Sequence, residues 1–419
     1  MKHKEKRIQE NKGITLIALV VTIMVLIILA TVSINAVLGQ NGIIKKAKQA
    51  KEMYSNSIAK DNEEMDRLLN EMAQYNGGSS SDDGKVTLPD GWNGDKVNPV
   101  KSEDNVVVPV PKGYVASTVE GEKSVSSGFV IKEGNDGSKT EGINEFVWVP
   151  VSNISDIYDE ANNAGQLWDF SGTTSTKQTY PTEKNRGYRE PDVVTGASLV
   201  PDSEGESLYD ADSTNRQQAG LSSTATASDF KVQLQTEFNE MINSVKKYEG
   251  FYIGRYETGN LSNSTKAVVQ KNNSDIANQT WYTMYKMCKT IKANENVYTG
   301  MIWGCQWDAT LRWMQTSSNS DVANFPTNST GKGNCKGTQG STNKAIPTGS
   351  NSSYSVNNIY DMAGNISEWT LEADSTNYRI GRGGCYFQTA SDYPASYRSF
   401  NPPHLSSISE GCRSTLYIK

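Results

Sequence analysis

Histidine, cysteine and clustered carboxylates do most metal and acid–base chemistry in proteins, and this chain is poor in the first two. Its 419 residues include only His3 and His404 as histidines, and five cysteines. His3 falls in a basic leader, which leaves one imidazole downstream. Zinc sites, iron facial triads and His-based acid–base pairs normally need two or more. The cysteines form no CxxC pattern, and five are too few to be a disulfide framework in a chain of this length. What remains is oxygen chemistry and adaptable contact. Asp361-Met362-Ala363-Gly364-Asn365-Ile366-Ser367-Glu368-Trp369 gathers a glycine, an amide, acids and a tryptophan in one short unit. Asn365 and Glu368 supply hard oxygens of the kind calcium takes, and the same two side chains equally suit local backbone groups. Downstream, Arg382-Gly383-Gly384 and Gly411-Cys412-Arg413 bracket a stretch carrying Tyr386, Phe387, Gln388, Asp392, Tyr393, Tyr397, Phe400, Asn401, His404 and Ser406. Tyrosine, serine and asparagine dominate adaptable recognition surfaces. These ten residues are the candidate ligand contacts, and an ordinary polar loop with core aromatics is the competing reading.

The elements that must position these residues are legible in part. Glu145-Phe146-Val147-Trp148-Val149-Pro150-Val151 alternates β-branched and aromatic residues as a strand does, and Phe251 to Thr258 reads as another. Asp229 to Tyr248 predicts a helix, with Phe230, Leu234, Phe238, Met241, Ile242 and Val245 on one face and Asp229 as N-cap. Further helices are expected over Tyr282–Ile291 and from Trp303 to Met314, whose tryptophans and methionines at helical spacing suit a core. Glu257 reads as a structural acid. Residues 152–228 read as a surface insertion, and residues 316–354 as loop. The net charge of -6 gives no field favouring nucleic acid. A hydrophobic content of 36% with heavy use of Ser, Thr, Asn and Gly suits a loop-rich extracellular protein.

Three separated motifs, Asp361 to Trp369, Arg382-Gly383-Gly384 and Gly411-Cys412-Arg413, stand in the order that resembles the formylglycine-generating-enzyme branch of the C-type-lectin fold. Glu145 to Pro150 resembles that family's opening core strand, and Trp303 to Met314 occupies its L-P-T-E-A-E-W slot. The resemblance implies an α+β domain over residues 105–419. The family's oxidase activity depends on a copper-binding cysteine pair, and those two places hold Gln388 and Tyr393 here. A cuprous ion needs thiolates, so the expectation is a scaffold without the enzyme. Cys385 and Cys412 lie on strands that the family pairs side by side. After export they are either a disulfide closing the segment or two buried thiols. The segment 385–409 is also similar to the variable region of diversity-generating-retroelement target proteins, which implies a ligand-binding face open to diversification.

The N-terminus reads separately. Lys2, Lys4, Lys6, Arg7 and Lys12 precede Ile14 to Leu38, nearly continuous apolar sequence long enough to span a bilayer. Lys12-Gly13-Ile14-Thr15-Leu16 resembles a type IV prepilin processing site, with cleavage between Gly13 and Ile14, and a plain membrane anchor is the alternative. Residues 14–75 then form a pilin-like helix after a 1–13 leader. The resemblance implies prepilin peptidase and other pilin subunits as partners, with the membrane contacted through this helix. Ala18 stands where that family places a glutamate, which suggests a minor or tip subunit. Asn76 to Gly84 is Gly/Ser-rich, and residues 76–104 read as a flexible linker. The whole predicts a ligand-binding protein at a bacterial surface, membrane-anchored or in a pilus-like filament, recognising an extracellular protein, glycan or phage. The competing functions are an oxidase with altered ligands and a purely structural minor pilin.

Overall fold

The structure is a computed structural model and describes residues 86–139, 141–171, 174–177, 213–260, 266–275, 277–291, 294–316, 322–338, 343–374 and 378–419. Gly13, Ile14 and the helix expected over 14–75 lie outside the described residues. No described helix is long and apolar enough to cross a membrane. Lys85–Lys419 forms one compact unit. Its first strand, β1 (Val97–Lys101), pairs with β2 (Val107–Pro111) inside the range read as linker. Val97 and Val100 side chains need cover, so folded structure starts well before residue 105.

The core is a six-stranded antiparallel sheet built from β3 (Tyr114–Ala116), β4 (Val130–Glu133), β5 (Glu145–Pro150), β6 (Gly250–Gly254), β7 (Val297–Met301) and β12 (Ser414–Ile418). Its order is β7-β12-β6-β5-β4-β3. The last strand, β12, therefore lies inside the sheet, second from one edge and beside the strand that follows the long helix. Phe146, Val147, Trp148 and Val149 of β5 are all buried, as a strand covered on both faces requires.

Three helices cover this sheet and lead into the C-terminal region. α1 (Ala227–Tyr248) starts with a capping box between Thr226 and Asp229, so Asp229 is the third helical residue and Thr226 the N-cap. The predicted apolar face is the buried one, and Ser244 and Glu240 of α1 accept hydrogen bonds from the last strand. α2 (Trp281–Cys288) is capped by Thr280 and stacks Trp281 on Tyr285. α3 (Gly304–Thr316) buries nearly its whole first two turns, including one acid, Asp308.

A second, four-stranded sheet holds the bracketed segment. It contains β8 (Ser367–Asp374), β9 (Tyr378–Arg382), β10 (Arg398–Asn401) and β11 (Glu410–Cys412), in the order β10-β9-β8-β11. β8 and β11 run parallel, and the other pairs are antiparallel. Residues 383–397 leave from β9 and return through β10. Residues 402–409 then cross to the opposite edge, so both loops are tied to one small sheet.

Candidate functional site

The Asp361–Trp369 unit is a turn driven by left-handed residues. Asp361, Gly364 and Asn365 have φ of 57°, 72° and 55°, a conformation tolerated by Gly, Asn and Asp. The turn points its polar groups inward. Asn365 is fully buried; its Oδ1 accepts from Ile346 N at 2.9 Å and from Asn334 Nδ2 at 3.1 Å. Its Nδ2 donates to Glu257 Oε2 at 2.5 Å and to the Ile346 carbonyl at 3.1 Å. Glu368 receives Arg413 on both oxygens, at 2.7 Å from Nε and 2.5 Å from Nη2. Burial opposes the Arg413 charge, but Glu368 outweighs it and raises the guanidinium's pKa. The oxygens considered for calcium thus have partners within the fold, in keeping with the structural alternative that the sequence left open. Among the described residues no group of three or more His, Cys, Asp or Glu is placed to hold a metal ion.

The first loop of the bracketed segment, residues 383–397, is clamped at both ends by one buried charge cluster. Arg382 and Arg398 face each other across β9 and β10, and two acids answer them. Arg398 reaches Asp308 Oδ2 at 2.6 Å and Glu372 Oε1 at 2.7 Å, while Arg382 pairs with Asp308 and donates to the Ser396 carbonyl at 2.6 Å. Asp308 comes from α3 and also accepts from Trp168 N at 2.8 Å. Gly304 lets α3 approach, since a Cβ there would lie 2.3 Å from Glu372 Oε2. Burial works against the Arg398 charge, and Asp308 and Glu372 overcome it, raising its pKa. Gly383 and Gly384 then turn the chain with φ of 85° and 68°, and a Cβ on Gly384 would meet the Tyr393 carbonyl at 2.7 Å.

Within this frame the candidate contacts separate into those that face solvent and those that do not. Phe387 is 51% exposed, Phe400 57%, Leu405 52% and Ile408 67%. Asp392 and Ser406 are exposed, and Tyr386, Tyr393, Tyr397, Asn401 and His404 are half-buried. Tyr386 packs edge-on to Phe387, Tyr393 to Tyr397, and Phe400 to Tyr378. Asp392 and Tyr397 line a cleft of about 450 Å³ with Asp169, Phe170 and Thr327. Gln388 is half-buried as well. Its Oε1 accepts from Cys385 N at 3.0 Å, and its carbonyl accepts from Lys336 N at 2.9 Å, so it braces the turn after Gly384.

Of the two states expected for Cys385 and Cys412, a disulfide or two buried thiols, the structure has the buried thiols. Cys412 lies with its Sγ 3.5 Å from Cys288 Sγ of α2, while Cys385 is held beside Gln388; all five cysteines are buried and none is in a disulfide. β11 turns Cys412 into the core beneath the sheet, whereas Cys385 follows the glycine turn, so the Cys385–Cys412 pairing is not the one the fold prepares. Burial pushes the Cys385 thiol up to about 11. Sequence reasoning missed Asp308, Glu372 and Glu410 as members of this region. Asp308 had a signal: it sits between Trp307 and Leu311 on a helix with little polar surface.

A small mixed sheet locked by buried Arg–carboxylate pairs, carrying long loops beside a larger antiparallel sheet, makes up the C-terminal part of an α+β domain. Residues 285–416 match the family model described as Sulfatase-modifying factor enzyme 1-like domain. No curated protein matches the chain. Among solved structures, the chain is similar to CarF, with 14% identity over 41% of this chain and 87% of that one, TM-score 0.28. It is similar to PvdO from Pseudomonas aeruginosa at 14% identity over 41% and 82%, TM-score 0.26. It is also similar to Treponema denticola variable protein 1 at 12% identity over 67% and 98%, TM-score 0.27.

Proposed function

We propose that this chain is a surface-displayed binding protein whose segment 385–409 recognises an extracellular ligand. One observation carries the reading. Among the described residues, seven large hydrophobic side chains are exposed, and four of them (Phe387, Phe400, Leu405 and Ile408) fall within this one segment. Exposed apolar groups concentrated in one segment mark an interaction site, and the half-buried tyrosines of the same segment add adaptable contact. The apolar run Ile14 to Leu38 would tether the chain or place it in a pilus-like filament. Retroelement diversification of the segment is part of the same proposal.

Two measurements test it. Crosslinking of intact cells should capture a ligand with the native chain. Capture should be lost in the triple variant Phe387→Ser, Phe400→Ser, Ile408→Ser at equal surface level, and unchanged capture would refute the binding face. Deep sequencing of the gene within one cultured population should show substitutions confined to codons 385–409, with a reverse transcriptase and a template copy nearby. A uniform segment without such a cassette would leave a fixed-specificity binder. The oxidase reading draws on one feature, the two thiols of Cys288 and Cys412 at 3.5 Å. Both are fully buried, out of reach of a peptide substrate. Stoichiometric cuprous-ion binding that is lost on Cys288→Ser would favour the oxidase instead.

A further inference from the structure

The cluster around Asp308 and Glu372 holds residues 383–397, and the second loop, residues 402–409, hangs from a different element. Trp281 N donates to the Pro403 carbonyl at 3.0 Å, and Asn278 N donates to the Ser407 carbonyl at 2.8 Å. The start of α2 and the turn before it therefore carry this loop. The far end of the same helix meets the strand into which the loop runs. Cys288, the last residue of α2, lies with its Sγ 3.5 Å from the Sγ of Cys412, the last residue of β11. Both side chains are fully buried. The backbone of Cys412 is fixed from two sides, by parallel pairing of β11 with β8 and by Thr258 N, which donates to its carbonyl at 2.9 Å. Trp281 holds α2 to the same strand pair, donating its indole N–H to the Thr370 carbonyl of β8 at 2.8 Å.

A sulfur–sulfur bond is about 2.05 Å long, so the two sulfurs need to close by about 1.5 Å, which small rotations of the two side chains supply. The other three cysteines are placed elsewhere. Cys305 is on α3, Cys335 packs beside Gly364, where a Cβ would meet its Sγ at 2.4 Å, and Cys385 is held by Gln388. Cys288 and Cys412 stand 124 residues apart in sequence. Cross-linking them would close a long loop in the unfolded chain, the case in which a disulfide stabilises most.

We propose that Cys288 and Cys412 are a disulfide-forming site that locks the 402–409 loop to α2, a second clamp beside the Arg–carboxylate cluster. The linkage forms where a small-molecule disulfide serves as oxidant. One cysteine thiolate attacks that disulfide, breaks its S–S bond and releases one thiolate, leaving a mixed disulfide on the chain. The other cysteine thiolate then attacks the chain's own sulfur and displaces the second half as a thiolate. The chain gives up two electrons and two protons. The protons pass to solvent and the released thiolates, and the small disulfide is reduced to two thiols. Full burial of both sulfurs restricts the exchange to the folding chain or to an opened one. The lock is independent of what segment 385–409 binds.

The full chain is folded in detergent twice, once with oxidised and reduced glutathione and once in excess reductant, and free thiols are alkylated before peptide mapping. The oxidised sample should carry one linkage, Cys288 to Cys412, and melt about 3–6 °C higher than the reduced one. Amide hydrogen exchange over residues 402–412 should slow in the oxidised sample. Cys288→Ser and Cys412→Ser should each abolish the difference in Tm between the two conditions, while Cys305→Ser leaves that difference intact. The comparison of the two unaltered samples needs no variant, so a misfolded serine variant does not hide the result. Unlinked thiols at both positions in the oxidised sample, or Cys412 joined to another cysteine, would overturn the site. A Cys288–Cys412 linkage that leaves Tm and the exchange of 402–412 unchanged would overturn the lock.

Discussion

Replacing Asp308 by Asn changes almost no volume and removes one charge from the cluster that fixes both ends of the 383–397 loop. Two guanidiniums, Arg382 and Arg398, would then face a single carboxylate, Glu372, in a site where Arg382, Asp308 and Glu372 are fully buried. Removing one partner of a buried ion pair costs ~3–5 kcal/mol, because the other charge stays desolvated. Unfolding entropy of ~2.1 cal/mol/K per residue over the roughly 330 residues of Lys85–Lys419 gives ~0.7 kcal/mol/K, so Tm should fall by about 4–7 °C. The control is Asp156→Asn. Asp156 pairs with Arg312 at 3.1 Å and Lys177 at 3.9 Å, but its side chain is 33% exposed. Water already screens that pair, and the loss should stay under ~1 kcal/mol. Urea unfolding followed by tryptophan fluorescence reads both variants against the parent chain. Equal, small losses for Asp308→Asn and Asp156→Asn would refute the claim that the buried cluster is the frame. A second arm adds Arg398→Met to Asp308→Asn: restoring neutrality should recover part of the loss, and a further additive loss would also count against the argument.

Three other outcomes follow from named contacts. Gly381→Ala should cost ~1–3 kcal/mol through crowding against the Ser367 and Ser399 hydroxyls, read as a shift in urea midpoint at unchanged slope. Glu410 ionises near 4.5 in the unfolded chain and holds its proton to about 7 in the fold, facing Asn401 and a neutral Cys385 thiol and no cation. The native state therefore binds more protons across that window, and this contribution to stability is complete below pH ~4.5 and lost as pH rises through ~7. Glu410→Gln should stabilise the chain at pH 8 by up to ~3 kcal/mol and make no difference at pH 4. The native protein should leave all five thiols unreactive toward Ellman's reagent. When it is folded in an oxidised-glutathione buffer, peptide mapping should find Cys288 joined to Cys412, and a Cys385–Cys412 crosslink would contradict the strand geometry.

Legibility from sequence followed the length over which a pattern could be read. The strand at Glu145–Pro150 and the helix ending at Tyr248 were visible because one element supplies its own periodicity. Asp229 was misread as an N-cap because a capping box uses both Thr226 and Asp229, and either suits the cap by composition. The spacing of three motifs foretold the C-terminal architecture, yet nothing in that spacing distinguishes a calcium ligand from a structural acid. Glu368 is resolved only by Arg413, 45 residues away in sequence, and Cys412 only by Cys288, 124 away. Gln388 belongs by composition with the tyrosines around it, and composition does not show that its side chain also accepts from Cys385 N. Long-range partners decide these roles, and a single sequence does not contain them.

The division between frame and face has a physical logic. Arg382, Glu368, Arg413, Asp308 and Glu372 are buried and spend their charge on one another, whereas Phe387, Phe400, Leu405 and Ile408 contribute little to the packed core. Substitutions at exposed positions away from such networks usually change stability by within about 0.5 kcal/mol, so the face can vary in sequence while the clamp holds its loops in place.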